Sequence, residues 1–356
     1  MKIVTVVGAR PQFIKAAPFS EEFRRENKEI LVHTGQHYDS NMSEVFFEEL
    51  NIPKPDYYLE VGSANHGKQT GQMLEKIEEI LLMEKPEALL VYGDTNSTLA
   101  GALAASKLHI PVIHVEAGLR SYNKKMPEEQ NRILADHISD LLLCPTQTGV
   151  SNLAKESITK NVLNTGDIMY DAVLRNLHLA HQYSVETIVQ DLEEKQYYLA
   201  TIHRAENTDV PHKLKTIFTT LEQLDKTVIL PIHPRTWKIV HDLGIKTNNV
   251  ILMEPVSYLP MLQLVSHSYM VITDSGGLQK EAYFLQVPCT TLRDQTEWVE
   301  TLENGWNILS PIEEDAIIKA TRRKLQCLQY PQPQSFGDGH AAKNICQAIN
   351  RWRRAQ

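Results

Sequence analysis

Short apolar runs recur along the chain, and most of them end at a glycine, a histidine or an acidic residue. In the first half they cover residues 2–7, 29–33, 88–92, 111–115, 141–145 and 162–165. In the second half they cover residues 197–202, 227–232, 250–253, 269–273 and 289–292. Continuous runs of Val, Ile and Leu are typical of strands that are buried on both faces, as in a parallel sheet. The polar residues that follow are then expected beyond the carboxyl ends of the strands, where such sheets bind ligands.

Amphipathic segments of helical length separate these runs. They cover residues 41–50, 67–83, 98–107, 128–141, 212–224, 278–284 and 316–328. Alternation of strand and helix is typical of the βαβ units that build a parallel sheet. Residues 168–192 interrupt the alternation with a long helical and polar stretch that has no strand pattern. The sequence therefore predicts an α/β fold with two Rossmann-like domains, whose parallel sheets face a central cleft.

The stretch without strands divides the two predicted domains. We expect an N-terminal lobe over residues 1–168, a linker with a helix over 169–192, and a C-terminal lobe over 193–340. The last amphipathic segment, residues 341–354, predicts a final helix. In two-lobed folds such a helix often packs back on the first lobe, so residues 341–356 are predicted to join the N-terminal domain.

Composition narrows the class of protein. The chain has 356 residues, of which 42% are hydrophobic, and a formal net charge of −8. It has no long run of like charges, which argues against a nucleic-acid partner. No apolar stretch approaches membrane-spanning length and no signal peptide precedes the first strand, so we expect a cytoplasmic protein without a membrane partner. The cysteines lie far apart, as free thiols of a reducing compartment would: Cys144, Cys289, Cys327 and Cys346.

Motifs of the common metal and cofactor enzymes are missing from the sequence. There is no zinc-ligand spacing, no P-loop, no nucleophile elbow, and no dinucleotide fingerprint after the first strand. A similar glycine pattern occurs at Gly337-Asp338-Gly339-His340-Ala341-Ala342, but it follows a Pro/Gln stretch instead of a strand. We interpret it as a turn that enters a helix. The sequence therefore predicts neither a metal ion nor a nicotinamide cofactor.

Two segments are suited to bind a phosphate group. Ser275-Gly276-Gly277 follows a predicted strand and precedes a predicted helix, and backbone N–H groups at a helix N-terminus bind anions. The alternative is an ordinary turn in which Ser275 caps the helix. Arg10 and Lys15 flank the start of the first predicted helix and are candidates to bind the same diphosphate. The alternative for them is a solvated pair of charges.

Acidic and histidine side chains at the strand ends are candidates for proton transfer. Asp94 and Glu116 end neighbouring strands, so both carboxylates are expected in one crevice, where such pairing raises one pKa. The alternative is that Asp94 caps the helix that follows it. His203 and His233 end two strands of the second half, either as acid-base groups or as structural histidines.

A series of motifs, taken in order, carries a resemblance to a known family. They are Gly8-Ala9-Arg10-Pro11 with Lys15, Gly93-Asp94-Thr95, His114-Val115-Glu116-Ala117-Gly118-Leu119-Arg120, Pro127-Glu128-Glu129 with Asn131-Arg132, His203-Arg204, Thr273-Asp274-Ser275-Gly276-Gly277 and Phe336-Gly337-Asp338-Gly339. In this order and spacing the chain resembles the non-hydrolysing UDP-N-acetylglucosamine 2-epimerase family, which has the two-lobed GT-B fold. The resemblance extends over nearly the whole chain.

The resemblance implies roles for individual residues. The implied catalytic residues are Asp94, Glu116, Glu128 and His203. The implied substrate contacts are Arg10, Lys15, His203, Met261, Ser275, Gly276, Gly277 and Glu281. Among these, Glu281 is implied to bind the ribose hydroxyls, and Lys15 to lie near the reacting sugar. No metal ion and no cofactor are implied.

The implied reaction is inversion at C2 of UDP-N-acetylglucosamine, which gives UDP-N-acetylmannosamine for cell-envelope polysaccharides. The hydrogen on C2 is not next to a carbonyl group, so the family's proposed route eliminates UDP, forms a 2-acetamidoglycal and adds UDP again. Closure of the lobes over UDP is expected to keep water away from the glycal. The resemblance also implies a homodimer.

Three departures from the family's pattern leave the substrate open. Trp298 stands where many relatives carry an arginine, Gln12 replaces a common glutamate, and Met261 replaces an aromatic residue. They resemble the branch that acts on UDP-2,3-diacetamido-2,3-dideoxyglucuronic acid, which is the alternative substrate. A GT-B glycosyltransferase and a nucleotide-sugar sensor without turnover are the alternative functions. The carboxylates at the strand ends favour proton transfer over both.

Overall fold

The computed structural model describes residues 1–35, 47, 49–323, 325–330 and 334–355. The chain divides into two compact units, the first made of Met1–Leu174 with Gln334–Gln356 and the second of Arg175–Pro333. The helix predicted over residues 41–50 lies largely outside the described residues.

The first unit is built on a parallel sheet. Its strands are β1 (Lys2–Val7), β2 (Lys28–His33), β3 (Tyr57–Tyr58), β4 (Ala88–Tyr92), β5 (Val112–Val115), β6 (Leu141–Cys144) and β7 (Val162–Asn164). Its helices are α1 (Arg10–Phe23), α2 (His66–Glu84), α3 (Asn96–Lys107), α4 (Pro127–Ile138), α5 (Gln147–Lys155), α6 (Ile168–Ala180), which continues into the second unit, and the C-terminal α14 (Ala341–Arg354). The strands lie in the order β3-β2-β1-β4-β5-β6-β7.

The second unit repeats this plan. Its strands are β8 (Tyr197–Thr201), β9 (Thr227–Pro231), β10 (Val250–Met253), β11 (Met270–Thr273), β12 (Cys289–Thr291) and β13 (Asn307–Leu309). Its helices are α7 (Val185–Ile188), α8 (Ala205–Thr208), α9 (Pro211–Glu222), α10 (Pro234–Asp242), α11 (Tyr258–His267), α12 (Gly276–Phe284) and α13 (Glu314–Thr321). The strands are parallel and lie in the order β10-β9-β8-β11-β12-β13.

Helices cover both faces of the sheet in the second unit. In β8, Tyr198 packs in a cluster with Phe218 of α9 on one face. Tyr197, its neighbour, packs in a cluster with Leu264 of α11 on the other face. Because successive side chains of a strand point to opposite faces, burial of both faces explains why unbroken apolar runs form these strands. The predicted α/β fold with parallel sheets is confirmed.

The apolar pattern does not predict the two short edge strands, β3 and β13. Each pairs with a neighbouring strand along one side only. Strands of two or three residues are too short to show a hydrophobic periodicity in the sequence. The helix predicted over residues 316–328 ends at Thr321. Arg323 then turns inward and donates to the Cys289 carbonyl (2.9 Å), and a 3-10 turn follows at Gln326–Gln329.

The division between the units falls inside α6, at residues that the sequence assigns to a linker. Asp171, in the first half of α6, accepts hydrogen bonds from the N–H groups of Ala341 (2.9 Å) and Ala342 (2.8 Å), and so caps α14. The N–H of Asp167 donates to the Phe336 carbonyl (2.9 Å). These bonds hold the segment before α14 in the first unit, whereas the sequence places it in the second domain. The helix α14 itself packs on α1.

Candidate functional site

In the first unit, the carboxyl ends of the neighbouring strands β4 and β5 lie close together, and each strand is followed by a tight turn. Gly93 follows β4 with a φ of +61°, and Glu116 follows β5 with a φ of +73°. A Cβ atom on Gly93 would lie 3.3 Å from the Glu116 carboxylate, so glycine permits this close approach. The carboxylate pairs with the ammonium group of Lys15 on α1, and the exposed fractions are 8% for Lys15 and 5% for Glu116. The structure thus brings two predicted residues together as a buried ion pair.

Asp94 lies directly after Gly93, beside this pair. Its carboxylate pairs with the Arg132 guanidinium, and its backbone carbonyl accepts a hydrogen bond from the Asn131 amide (3.0 Å). Loss of hydration has the largest effect on the pKa of Asp94 and raises it, Arg132 lowers it, and the charge of Glu116 raises it. The net pKa lies above the ordinary value, so this carboxyl group keeps its proton to a higher pH than usual.

The helix that follows Asp94 is capped by another residue. Thr95 occupies the N-cap position of α3, and its hydroxyl accepts a hydrogen bond from the N–H of Thr98 (3.3 Å). The Asp94 side chain is directed to Arg132 instead. The alternative in which Asp94 caps α3 is therefore wrong.

The first turn of α4 carries two adjacent glutamates in different settings. Glu128, which the sequence analysis selected, is exposed. Glu129 is buried, accepts a hydrogen bond from the N–H of Tyr122 (2.7 Å), and pairs with Arg132 (3.0 Å). Arg132 thereby connects Glu129 with Asp94, although in the sequence Glu129 and Arg132 stand out only as motif residues without an assigned role. The signal for them is the spacing of three residues between Glu129 and Arg132 on one helix face.

A buried glutamine joins the ends of β1 and β4. The side-chain carbonyl of Gln12 accepts hydrogen bonds from the N–H groups of Gly8 (2.8 Å) and Ala9 (3.1 Å). Its amide nitrogen donates to the Tyr92 carbonyl (2.8 Å) and to the Thr95 hydroxyl (3.0 Å). The contact with Tyr92 requires a donor, which a glutamate in its charged form lacks. The departure from the family's pattern at this position therefore has a structural consequence.

In the second unit, Asp274 organises the turn after β8. It is fully buried and accepts hydrogen bonds from the N–H groups of His203 (3.1 Å) and Arg204 (3.0 Å) and from the Asn207 amide (3.0 Å). Burial raises the pKa of Asp274, but the hydrogen bonds from His203, Asn207 and Arg204 lower it by more. The net pKa lies below the ordinary value, so the side chain is a buried anion. In the sequence, Asp274 stands out only as part of the motif Thr273-Asp274-Ser275-Gly276-Gly277.

The two strand-end histidines have different surroundings. The Nδ1 atom of His203 lies 3.0 Å from the Asp274 carboxylate and donates to it, and 56% of the side chain is exposed. The Nδ1 atom of His233 instead accepts a hydrogen bond from the N–H of Arg235 (3.2 Å), so His233 caps its own helix, α10. His233 is therefore a structural histidine, and His203 remains the candidate.

The segment Ser275-Gly276-Gly277 begins α12. The Ser275 hydroxyl accepts a hydrogen bond from the N–H of Leu278 (3.3 Å) and caps the helix. A Cβ atom on Gly276 would lie 2.8 Å from the Glu297 carboxylate, so a side chain at this position would collide. The N–H groups of the first helical turn have no partner within their own helix and point outward, which suits an anion. The capping role and the anion-binding role are therefore compatible.

Glu281 and Met261 lie on neighbouring helices of the second unit. Glu281 is buried on α12. Lys280, next to it, is also buried, and its ammonium nitrogen lies 3.5 Å from the centre of the Trp298 ring. Trp298 thus contacts a cation at the position where many relatives supply one. Met261 on α11 is half-buried and packs against the apolar cluster that includes Leu264.

Two further predicted features lie at helix starts. Arg10 is the first residue of α1 and is exposed. Gly337 and Gly339 precede α14 with φ values of +87° and +80°. A Cβ atom on Gly337 would lie 3.1 Å from the Cα atom of Gly166, so this glycine allows two backbone segments to pass closely. The glycine-rich segment is a turn that enters a helix, as the sequence predicts.

The described residues contain neither a cluster of metal-ligating side chains nor a membrane-spanning helix. Among them, no group of three or more His, Cys, Asp or Glu side chains is placed to hold a metal ion. None of the helices in this part of the chain is long and apolar enough to cross a membrane. The cysteines are buried free thiols: Cys144, Cys289, Cys327 and Cys346.

Two α/β units, each built on a parallel sheet with polar residues at its strand ends, define a two-domain α/β enzyme of the GT-B type. The chain belongs to the UDP-N-acetylglucosamine 2-epimerase family, whose model matches residues 21–350. A UDP-N-acetylglucosamine 2-epimerase homolog from Methanococcus maripaludis is 50% identical over 355 residues, which cover 98% of this chain and 99% of that protein. The UDP-2,3-diacetamido-2,3-dideoxy-D-glucuronate 2-epimerase of Pseudomonas aeruginosa is 48% identical over 357 residues, which cover 98% of this chain and 99% of that protein.

A solved structure has the same fold over its full length. The UDP-GlcNAc 2-epimerase of Methanocaldococcus jannaschii, in complex with UDP-GlcNAc and UDP, matches with a TM-score of 0.89 and 42% identity, covering 99% of this chain and 100% of that chain. These likenesses confirm the family resemblance and the GT-B fold class predicted from the sequence.

Proposed function

We propose that the chain inverts C2 of a UDP-N-acetylhexosamine, converting UDP-N-acetylglucosamine to UDP-N-acetylmannosamine for cell-envelope polysaccharide synthesis. The observation that carries the proposal is the group formed by Lys15, Asp94 and Glu116. Glu116 is paired with an ammonium group, which favours its charged form, whereas the pKa of Asp94 is raised. Two carboxyl groups with different electrostatic surroundings thus lie close together, as an exchange of protons at a carbon atom requires.

The reaction proceeds by elimination, because loss of the C2 proton alone would leave an unstabilised carbanion. A carboxylate takes the C2 proton, and the electron pair of the C–H bond forms the C1=C2 double bond of a 2-acetamidoglycal. The C1–O bond breaks, and UDP leaves with the electron pair of the C1–O bond. Protonation of the other face of C2 and return of UDP to C1 give the epimer. The sequence of steps needs no oxidant and no hydride acceptor.

We assign separate groups of residues to the two parts of the substrate. The proposed contacts to UDP are Arg10, His203, Ser275, Gly276, Gly277 and Glu281. The proposed groups around the sugar are Lys15, Asp94, Glu116 and Glu128, and Met261 is proposed to lie beside the uracil base of UDP. The start of α12 supports the UDP assignment, because its first N–H groups and the helix dipole favour a diphosphate. His203 supports it also, since Asp274 holds its Nδ1 atom and leaves the exposed Nε2 edge for a ligand.

UDP-2,3-diacetamido-2,3-dideoxyglucuronic acid is the second candidate substrate. The Pseudomonas aeruginosa relative, 48% identical, carries this activity in its name. A relative of nearly equal similarity, from Methanococcus maripaludis and 44% identical, is named UDP-N-acetylglucosamine 2-epimerase. The reaction at C2 is the same for both, so the candidates differ only in the groups at C3 and C6 of the sugar.

The proposal is tested by ¹H NMR in deuterated water, with each of the two sugar nucleotides offered separately and no acceptor present. We expect deuterium at C2 and the appearance of the C2 epimer with one of them. A glycosyltransferase or a sensor would leave C2 undeuterated, and this result with both substrates would refute the proposal. The Glu116→Gln variant should abolish exchange, whereas Asp209→Asn, at an exposed ion pair with Arg235, serves as the matched control.

The assembly and the location are also proposals. We propose a homodimer, and the exposed apolar residues Leu82 (57%) and Met83 (65%) at the end of α2 support a protein contact there. Light scattering should give twice the mass of the 40.5 kDa chain, and a monomer at micromolar concentration would contradict it. We propose a cytoplasmic location, which the buried free thiols support because oxidising compartments favour disulfides.

A further inference from the structure

His114 on β5 is fully buried, and both nitrogens of its ring face hydrogen-bond acceptors. Nε2 lies 2.7 Å from the backbone carbonyl of Gly93, and Nδ1 lies 2.7 Å from the Asp136 carboxylate. A carbonyl oxygen only accepts hydrogen bonds, so Nε2 must carry a proton. An ionised carboxylate also only accepts, so Nδ1 must carry one as well. The ring that satisfies both contacts is the doubly protonated imidazolium.

The Asp136 carboxylate is held in its charged form by other donors. The N–H of Gly118 (3.1 Å) and the Arg120 guanidinium (2.6 Å) both donate to it. Arg120 also pairs with Glu156 (2.7 Å). With His114 protonated, this chain of side chains contains two cations and two anions. With His114 neutral, Arg120 alone would face both the fully buried Asp136 and Glu156, which is partly exposed and lies 3.1 Å from His137. The buried Asp136 carboxylate would then be only partly compensated, which is costly.

The pKa of His114 supports the same charge state. Burial lowers this pKa, but the hydrogen bond and the charge of Asp136, the Gly93 carbonyl and the nearby Glu116 raise it by more. Glu116 is itself paired with Lys15 and also acts on the nearby Asp94. The net pKa lies above the ordinary value of about 6.5 for histidine.

We propose that His114 is a permanent imidazolium and that its role is to position the turn at Gly93. The N–H of Gly93 donates to the Val115 carbonyl (3.0 Å) and its carbonyl accepts from His114, so the residue is held on both sides. Gly93 precedes Asp94 and lies against the Glu116 carboxylate. His114 is thus a positioning residue for these two groups, a role that rests on the proposed function.

A second buried histidine of the same unit supplies an internal comparison. The Nδ1 atom of His33 accepts a hydrogen bond from the N–H of Gly35 (2.8 Å), so it carries no proton. Burial lowers the pKa of His33 to about 4. Two buried histidines at the ends of strands in one sheet are therefore expected in opposite charge states at neutral pH.

The charge state is tested by two-dimensional ¹H–¹⁵N NMR of the ring nitrogens in the full chain labelled with ¹⁵N-histidine. At pH 8, His114 should show two protonated nitrogens, and His33 should show one bare and one protonated nitrogen. The variants His114→Gln and His33→Gln identify the signals. A neutral His114 at pH 8 would overturn the proposal. If His114→Gln does not fold, Asp136→Asn should convert the doubly protonated signal to a neutral one, and persistence of that signal would equally overturn it.

The positioning role is tested by kinetics. In His114→Gln, we expect kcat to fall on the order of 10²-fold, as misplaced reacting groups do, with KM within a few fold of the natural protein. A folded variant with unchanged kcat would refute the role in positioning. If the natural protein turns over neither sugar nucleotide, the proposed function fails, whereas the NMR result still decides the charge of His114.

Discussion

Replacement of Glu116 by glutamine removes one charge from a buried ion pair. The side chains of Lys15 and Glu116 are 10% and 4% exposed, so neither group is well hydrated in the folded protein. At a separation of about 3 Å and an effective dielectric constant of about 20, the two charges attract by roughly 5 kcal/mol, most of which offsets their lost hydration. Removing one partner leaves the ammonium buried without its counter-charge, which typically costs about 3–5 kcal/mol.

Part of this cost is recovered, because the amide oxygen of glutamine still accepts a hydrogen bond from Lys15. A hydrogen bond to a charged group is worth about 1.5–3 kcal/mol. We therefore expect Glu116→Gln to lower the free energy of unfolding of the first unit by about 1–3 kcal/mol. Hydrogen exchange of peptides from β1, β4 and β5, followed by mass spectrometry in increasing urea, measures this quantity for the first unit alone.

A double-mutant cycle with Lys15→Met shows whether the loss comes from the pair. The variant with both substitutions should be more stable than the sum of the single effects predicts, by at least about 1 kcal/mol. Asp209→Asn, which breaks the exposed pair with Arg235, should cost less than about 0.5 kcal/mol in the same solvent. If the two effects at Lys15 and Glu116 add without coupling, the ion pair does not stabilise the fold and the reasoning is refuted.

Three further outcomes follow from other contacts of the first unit. Gln12→Glu should destabilise the protein by about 1–3 kcal/mol at pH 8, because a carboxylate would face the Tyr92 carbonyl. The loss, measured from urea midpoints, should be smaller at pH 5, because the glutamate side chain can then take up a proton and donate a hydrogen bond to that carbonyl. Gly8→Ala should cost about 1–3 kcal/mol by thermal unfolding, because the added methyl group would overlap the hydroxyls of Ser97 and Thr34; no loss would show that these side chains move aside. For Asp94→Asn, the folded natural protein binds its proton more tightly than the unfolded chain, so its stability falls as pH rises above the ordinary Asp pKa of about 3.9. The variant should therefore gain stability relative to the natural protein across that pH range, and a constant difference would contradict the raised pKa.

Tertiary structure decided how the site residues are paired. The Lys15 and Glu116 side chains are 101 positions apart along the chain, and Asp94 and Arg132 are 38 apart. Neither the hydrophobic periodicity nor a motif of the sequence predicts such contacts, because they depend on which helix packs over which strand end. For the same reason, the sequence does not indicate that Asp136 is the hydrogen-bond partner of His114.

The sequence by itself determined the parallel sheets and the positions of the strand ends. Strands buried on both faces need unbroken apolar runs, and each run stops where the chain leaves the interior, so Asp94, Glu116 and His203 were visible as strand-end residues. The raised pKa values of Asp94 and His114 and the exposure of Glu128 were decided only by the fold. Hydration and neighbouring charges set these properties, and both are created by packing of segments that are distant in the chain.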